Sequence, residues 1–306
     1  MTFDRQKLDG VFTALVTPFR DGKVDVAAFE ALVERQIAAG VDGLVTAGTT
    51  GEASTLRQDE VDDLVARTVR IAAGRVMVIA GAGANDTVAT LDKVRRAETS
   101  GADGLLVVTP YYNRPSQQGL LAHYGAVAGA TALPIMLYSV PGRCGVEIAP
   151  QTCAMLRERH KNVVAIKEAG GSVERVTKLR LATGGDFPIH CGDDGLTLAF
   201  LAAGAVGVTS VVSNVAPQDV VAMVRAWRAG DWGGALALHE SLSELTETLF
   251  IEPNPVPAKA ALAMEGLAQA ELRLPLTEME PANAQRLALA MNRYRAKSAA
   301  RASAAA

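Results

Sequence analysis

The chain has 306 residues, of which 49% are hydrophobic, 21% charged and 5% aromatic, as is usual for an α/β protein of one large domain or two small ones. A formal net charge of −3 is not the basic character of a nucleic-acid-binding protein, and no apolar stretch approaches the roughly 18 residues that span a bilayer. The N-terminus lacks an apolar signal segment, so we expect a cytoplasmic protein without nucleic-acid or membrane partners.

Eight short β-branched runs alternate with helical patterns along the first 230 residues. The predicted strands lie at 11–16, 43–46, 76–80, 104–108, 135–138, 163–167, 188–191 and 206–211. The predicted helices lie at about 24–39, 57–73, 86–100, 117–130, 149–159, 172–182, 194–203 and 217–229. A weak repeat at 39–45, 100–106 and 203–209 has the pattern of a helix end, a glycine suited to the position after the helix, and an apolar strand.

Strict alternation of strands and helices implies a parallel sheet, and eight such units predict a closed (β/α)8 barrel, or TIM barrel, over residues 1–230. Residues 231–295 carry helical patterns broken by prolines, which predicts a small C-terminal helical appendage on the barrel. The Ala/Ser/Arg-rich residues 296–306 are expected to be a frayed, disordered tail.

In a barrel of this kind the chemistry lies at the C-terminal ends of the strands, and the first candidate motif follows the second strand. Residues 48–52 (GTTGE) place two glycines around Thr49 and Thr50, so that backbone N–H groups and hydroxyls can converge on a carboxylate. Taken alone, this segment is more simply explained as an ordinary glycine-rich turn.

The fifth strand ends at Tyr138, and Arg143 follows across a Pro-Gly turn. A phenol can transfer protons, and a guanidinium can bind a carboxylate through two hydrogen bonds. The competing explanation for Tyr138 is a barrel-rim aromatic residue whose hydroxyl is satisfied by a neighbour.

The sixth strand ends in Lys167, a single amine after an apolar, β-branched run. Burial disfavours the charged form of an amine, and a neutral amine is a nucleophile towards carbonyl carbon. The competing explanation is a lysine that reaches solvent or pairs with Glu168.

The predicted rim thus carries an amine, a phenol, a pair of hydroxyls and a guanidinium. Together these groups support class I (Schiff-base) aldol or lyase chemistry. Lys167 would condense with a 2-oxo acid, Thr49 and Thr50 would hold its carboxylate, and Tyr138 would move protons. This chemistry needs no metal or organic cofactor. The cysteines and histidines also lack metal-ligand spacing, so we expect no protein metal site.

The chain resembles the dihydrodipicolinate synthase / N-acetylneuraminate lyase superfamily from about residue 10 to about residue 272. The motifs that carry the resemblance are residues 48–52, 111–115 (YYNRP), 138–143 and 166–168, in the superfamily's order. Arg143, the Tyr111–Tyr112 pair and residues 254–259 (NPVPAK) resemble the dihydrodipicolinate synthase family in particular.

The resemblance implies roles for individual residues. Lys167 matches the lysine that forms a Schiff base with pyruvate, and Arg143 matches the arginine that receives the carboxylate of aspartate semialdehyde. Tyr138, Thr50 and Tyr112 match a proton relay in which Tyr112 reaches into a neighbouring subunit's site. The resemblance therefore implies an oligomer, a homodimer or a homotetramer.

The resemblance also implies that Gly192 and Thr209 line the pyruvate pocket. Three residues depart from the family's pattern: Thr209 stands where an aliphatic residue is common, Ser139 replaces an asparagine, and Cys144 replaces a threonine. Both Ser139 and Cys144 are expected to touch the substrate side of the site.

Two alternatives to condensation of pyruvate with aspartate 4-semialdehyde remain open. One is a sibling aldolase or dehydratase acting on a sugar acid or hydroxy-oxo-acid, against which Arg143 argues. The other is a non-catalytic barrel that binds 2-oxo acids, because a fold alone does not determine function.

Feedback inhibition by lysine is expected to be weak or absent. In sensitive family members an interface pocket holds lysine with acidic, His, Asn and Tyr groups; Asn85 and Tyr111 are kept here. The acidic position falls on Ala89, and the two His positions fall on Gln58 and Val61. Glu52 and Asp86 are the carboxylates that could compensate.

Overall fold

The computed structural model describes residues 4–305, and strands and helices alternate along it in the predicted order. The barrel strands are β1 (Gly10–Ala14), β2 (Gly43–Thr46), β3 (Met77–Gly81), β4 (Gly104–Val108), β5 (Ile135–Ser139), β6 (Val163–Glu168), β7 (Ile189–Cys191) and β8 (Gly207–Ser210). The helices between and after them are α1 (Val26–Ala38), α2 (Gln58–Ala72), α3 (Thr87–Thr99), α4 (Gln117–Gly129), α5 (Pro150–Arg159), α6 (Val173–Thr183), α7 (Thr197–Ala202) and α8 (Pro217–Arg228).

The eight strands form one closed parallel barrel, which confirms the predicted (β/α)8 fold. Strand β1 pairs with both β2 and β8, so no strand of the barrel has a free edge. Because each strand is covered on both sides, its sequence is a continuous apolar run rather than an alternating one.

The first glycine in each copy of the repeated sequence lies just after the C-terminal end of a helix, as the helical patterns before it predict. Gly40, Gly101 and Gly204 follow α1, α3 and α7 with φ of +82°, +84° and +100°. A side chain with a Cβ is strained in this left-handed conformation, so glycine lets the chain turn sharply from helix to strand.

Side chains fill the barrel in two layers. One apolar cluster lies between strands and helices, and a second lies inside the barrel and includes Leu8, Phe12, Met77, Leu106, Met136 and Tyr138. The interior is therefore a packed core, and two cavities lie at the C-terminal ends of the strands, where the active sites of such barrels are found.

Three more helices follow the barrel: α9 (Trp232–Leu249), α10 (Val256–Met264) and α11 (Pro281–Ala305). The prediction of helical structure beyond residue 230 is confirmed, whereas the division into two units at that residue stays a prediction. Helix α9 packs against both α8 and α11. None of the helices in residues 4–305 combines the length and the apolarity that crossing a membrane requires.

The structure describes residues 296–305 as the end of helix α11, and the expectation of a frayed, disordered tail over 296–306 stays a prediction. Helix α11 continues to Ala305 because alanine-rich sequence favours helix and because Arg301 pairs with Asp219 of α8 and donates to Ser241 of α9. Residue 306 lies outside the described residues.

Candidate active site

The loop after β2 carries the first group of site residues. Ala47 and Glu52, at its two ends, adopt left-handed backbone conformations with φ of +55°. The N–H groups of Gly51 and Glu52 donate within the turn to the carbonyls of Gly48 and Thr49, at 3.1 and 3.0 Å. Non-glycine residues in this conformation are strained, and such strain occurs most often at functional sites.

Lys167 and Tyr138 face each other inside the rim of the barrel. They are register partners on β6 and β5, and the Lys167 Nζ lies 4.4 Å from the centroid of the Tyr138 ring. Only 5% of Lys167 and 6% of Tyr138 are exposed. Amine and phenol thus stand side by side in a water-poor environment.

The competing explanation that Lys167 pairs with Glu168 is wrong. Successive strand residues point to opposite faces, and the Glu168 carboxylate accepts instead from Arg175 Nη2 and from the Gly170 N–H, at 2.9 and 2.8 Å. Burial raises the pKa of Glu168, and the hydrogen bond with Arg175 opposes that rise. The ion pair of Glu168 with Arg175 therefore links β6 to α6.

Gly192, directly after β7, leaves room for the lysine side chain. A Cβ at this position would lie 3.0 Å from Lys167 Cε and 2.7 Å from the Cβ of Ala169. Any larger residue would therefore displace the amine, which gives a packing reason for glycine here.

A cavity of about 410 Å³ brings these residues together. Its walls include Thr49, Thr50, Tyr138, Arg143, Lys167, Gly192 and Asn254, together with Thr246 and Glu247 from α9 and Phe250 directly after that helix. A second cavity of about 380 Å³ adjoins it and shares Thr49, Tyr138 and Arg143 as wall residues. A small oxo acid and a second small substrate would both fit beside the amine.

Arg143 lies at the mouth of the cavity in a short helical turn, Pro141–Cys144. Its side chain is exposed, and its Nη2 donates to the backbone carbonyl of Asn254 at 3.3 Å. The remaining guanidinium donors can bind a carboxylate that enters from solvent.

Two predicted site residues do not line this cavity in their own chain. Tyr112 is 90% exposed, in the turn after β4. Thr209 is fully buried inside the barrel, where its hydroxyl lies 3.0 Å from Nδ1 of His190. Their assignment to the site stays a prediction.

Ser139 and Cys144, which depart from the family's pattern, lie in different surroundings. The expectation that Ser139 touches the substrate side is wrong, because its side chain points outward and its Oγ accepts from the Ile148 N–H at 3.4 Å. Cys144 lines the second cavity, and burial raises the pKa of its thiol.

The sequence motif at residues 254–259 predicts no role for Asn254, and the structure places this residue at the cavity. Its Nδ2 donates to the Thr50 hydroxyl at 2.9 Å. Five residues later, Lys259 forms a buried ion pair of 2.6 Å with Glu52. The appendage therefore completes one wall of the cavity.

Comparison with known proteins finds close relatives over nearly the whole chain. Residues 7–293 match the model of the dihydrodipicolinate synthetase family. A 4-hydroxy-tetrahydrodipicolinate synthase of Sorangium cellulosum is 50% identical, and the match covers 95% of this chain and 97% of the relative. The matched region includes every strand of the barrel.

Solved structures agree with this likeness. The structure of the 4-hydroxy-tetrahydrodipicolinate synthase from the methanotroph Methylacidiphilum fumariolicum SolV is 49% identical, has a TM-score of 0.94, and covers 95% of this chain and 97% of that one. A structure from the characterisation of a monomeric dihydrodipicolinate synthase variant is 42% identical, with a TM-score of 0.93 and coverage of 95% and 98%. The likeness thus extends to both the fold and the sequence.

Proposed function

The chain belongs to the dihydrodipicolinate synthetase family, and we propose that it is a lyase that condenses pyruvate with aspartate 4-semialdehyde to 4-hydroxy-tetrahydrodipicolinate, in the biosynthesis of diaminopimelate and lysine. The observation that carries the proposal is the Lys167 amine, held against Tyr138 on the wall of a cavity with Arg143 at its mouth.

The first half of the reaction forms an imine. The Lys167 amine attacks C2 of pyruvate, and the carbonyl oxygen leaves as water after proton transfers through Tyr138. The pyruvate carboxylate binds at Thr49 and Thr50. The imine withdraws electrons, so the C3 methyl group loses a proton and becomes an enamine.

The second half forms a carbon–carbon bond and releases the lysine. The enamine carbon attacks the aldehyde of the second substrate, whose carboxylate binds Arg143. The amino group of that substrate then attacks C2 and displaces Lys167, which closes the ring. Overall, two substrates give one cyclic product and one water.

Tyr112 would complete the proton relay from the partner subunit. In its own chain it projects into solvent from a turn that is fixed by Arg114 Nε donating to the Gly145 carbonyl, and by Asn113 Nδ2 donating to the Asn85 carbonyl. The second cavity, which adjoins Tyr138 and Thr49, offers space for a phenol. Exposed, rigidly held aromatic residues are typical of interfaces.

The test is turnover of the purified protein with pyruvate and a panel of aldehydes. We expect aspartate 4-semialdehyde to give the highest kcat/KM and the substitution Arg143→Met to reduce it selectively for carboxylate-bearing aldehydes. Faster turnover of a sugar-acid aldehyde would favour the sibling aldolase, and binding of pyruvate without turnover would favour a binding protein.

A further inference from the structure

Asn254 contacts two residues of the proposed machinery at once. It lies in the segment between α9 and α10, is 7% exposed, and lines the cavity that contains Lys167. Its side-chain Nδ2 donates to Thr50 Oγ1 at 2.9 Å, whereas its backbone carbonyl accepts from Arg143 Nη2 at 3.3 Å. One residue of the appendage thus contacts both the loop after β2 and the rim arginine.

The direction of the bond to Thr50 matters, because a hydroxyl has only one hydrogen to donate. When Asn254 is the donor, the Thr50 oxygen accepts, and the Thr50 hydrogen is left for another acceptor in the cavity. The Asn254 Oδ1 is buried and has no hydrogen-bond partner within residues 4–305. The amide therefore acts on its surroundings only through Nδ2.

Two further residues of the appendage, Lys259 and Arg273, fix the loop beside Thr50. The Glu52 carboxylate binds Lys259 Nζ at 2.6 Å through one oxygen and the Arg273 N–H at 3.1 Å through the other. Residues 50 and 52 are both held from the C-terminal side, so the Thr50 hydroxyl has little freedom to find another donor.

We infer that Asn254 is a positioning residue: its amide makes the Thr50 hydroxyl a hydrogen-bond donor towards the reacting groups at Tyr138 and Lys167. This inference rests on the proposed function, since it gives Thr50 a place in the proton relay. The backbone carbonyl of Asn254 holds Arg143 independently of the side chain.

The decisive variant is Asn254→Asp, which keeps the shape of the side chain and exchanges the donor for an acceptor. Thr50 must then donate its hydrogen to the carboxylate. We expect kcat to fall by about tenfold or more, with the KM for aspartate semialdehyde nearly unchanged because the backbone carbonyl remains.

The pH dependence gives a readout that a purely structural role would not change. In the Asn254→Asp variant, the new carboxyl group becomes a donor again when it is protonated. The ratio of kcat for this variant to kcat for the unsubstituted protein should therefore rise as the pH falls. Asn283→Ala is the matched control, since Asn283 bonds Glu252 in the same appendage and does not reach the cavity. Its kcat should stay within about twofold at every pH.

A double-mutant cycle covers the case in which Asn254→Asp does not fold. If Asn254 acts through Thr50, Asn254→Leu should reduce kcat in the unsubstituted protein and have little further effect in Thr50→Val. Full activity of Asn254→Asp, or additive effects in the cycle, would overturn the inference while leaving the proposed function intact. Absence of turnover in the unsubstituted protein would overturn both.

Discussion

Lys167 and Tyr138 are register partners on adjacent parallel strands, and the lysine Nζ lies 4.4 Å from the centre of the tyrosine ring. Both side chains point into the barrel at its C-terminal rim, and both border the same cavity. The pairing places an amine and a phenol together, which are the groups that the proposed mechanism uses as nucleophile and proton carrier.

We predict that pyruvate forms an imine at Lys167. Borohydride reduction with pyruvate should add a stable mass increment to the peptide that contains this lysine, because reduction converts the imine to a secondary amine. Lys167→Ala should fold and lose activity by roughly a thousandfold or more, and Lys161→Ala, on the surface, should be labelled normally. A label on another peptide, or none, would refute the mechanism.

We predict that Tyr112 acts across a subunit interface. Inactive Tyr112→Phe chains mixed with inactive Lys167→Ala chains should recover part of the activity, since one site of each hybrid dimer has the lysine from one chain and the phenol from the other. Mixing Tyr138→Phe with Lys167→Ala is the control and should recover none. A lack of recovery in hybrids shown to form, or a fully active monomer, would mean that Tyr112 works within its own chain or not at all.

We predict that lysine inhibits weakly or not at all. Of the two carboxylates that could compensate for Ala89, Glu52 is held by Lys259, and Asp86 caps α3 by accepting from the Ala89 N–H at 2.7 Å. Lys93 lines the second cavity together with Tyr111 and adds positive charge there, although burial lowers the pKa of Lys93.

A missing charge-assisted hydrogen bond costs about 1.5–3 kcal/mol, or roughly ten- to a hundredfold in affinity. Inhibition measured at saturating pyruvate should therefore need more than millimolar lysine, and Ala89→Glu should increase sensitivity. A sub-millimolar inhibition constant for the unsubstituted protein would contradict this prediction.

We predict that the buried pair of Lys259 and Glu52 has a large effect on stability. Both side chains are at most 1% exposed, and burial lowers the pKa of Lys259 while Glu52 opposes that change. Lys259→Met should reduce the free energy of unfolding by about 3–5 kcal/mol, because it leaves the buried Glu52 carboxylate without its ion-pair partner.

Adding Glu52→Gln to Lys259→Met should restore part of that loss in urea denaturation. The exposed pair of Arg293 and Glu244 is the matched control, and Arg293→Met should cost less than about 1 kcal/mol. Equal losses for the two single variants would show that burial does not decide the effect.

We predict that His190 makes the protein less stable in mild acid. Burial is the main reason that the pKa of His190 is lowered from 6.5 to about 4. As the pH falls from 6.5 to 4, His190 binds a proton more readily in the unfolded chain than in the folded chain. The free energy of unfolding therefore falls over this interval.

Over this interval the free energy of unfolding should fall by on the order of 3 kcal/mol more than in the His190→Gln variant, which has no titrating side chain at position 190. Urea denaturation at about pH 7, 6, 5 and 4 measures the difference. Parallel pH profiles for the two proteins would mean that the folded state protonates His190 readily.

The barrel, and the position of Lys167, Tyr138 and the loop at 48–52 at its rim, could be predicted from the sequence because their signals are local. Each strand is a short apolar run, and Lys167, Tyr138 and the loop at 48–52 each follow or end one. Once eight parallel strands close, all their C-terminal ends lie on one rim, so residues far apart in the chain must meet there.

Other features depended on packing between distant segments, which leaves no periodic pattern in the sequence. Asn254 reaches Thr50 across 204 residues, and Lys259 reaches Glu52 across 207. Only the placement of α10 and of the segment before it against the barrel decides these contacts.

Side-chain direction at the strand ends was also decided by the tertiary structure. A shift of one residue turns a side chain from the cavity to the outer layer, so Lys167 faces the substrate space and Ser139 faces Ile148. The sequence by itself determined which residues reach the rim of the barrel, and the closed fold determined which of them face the cavity.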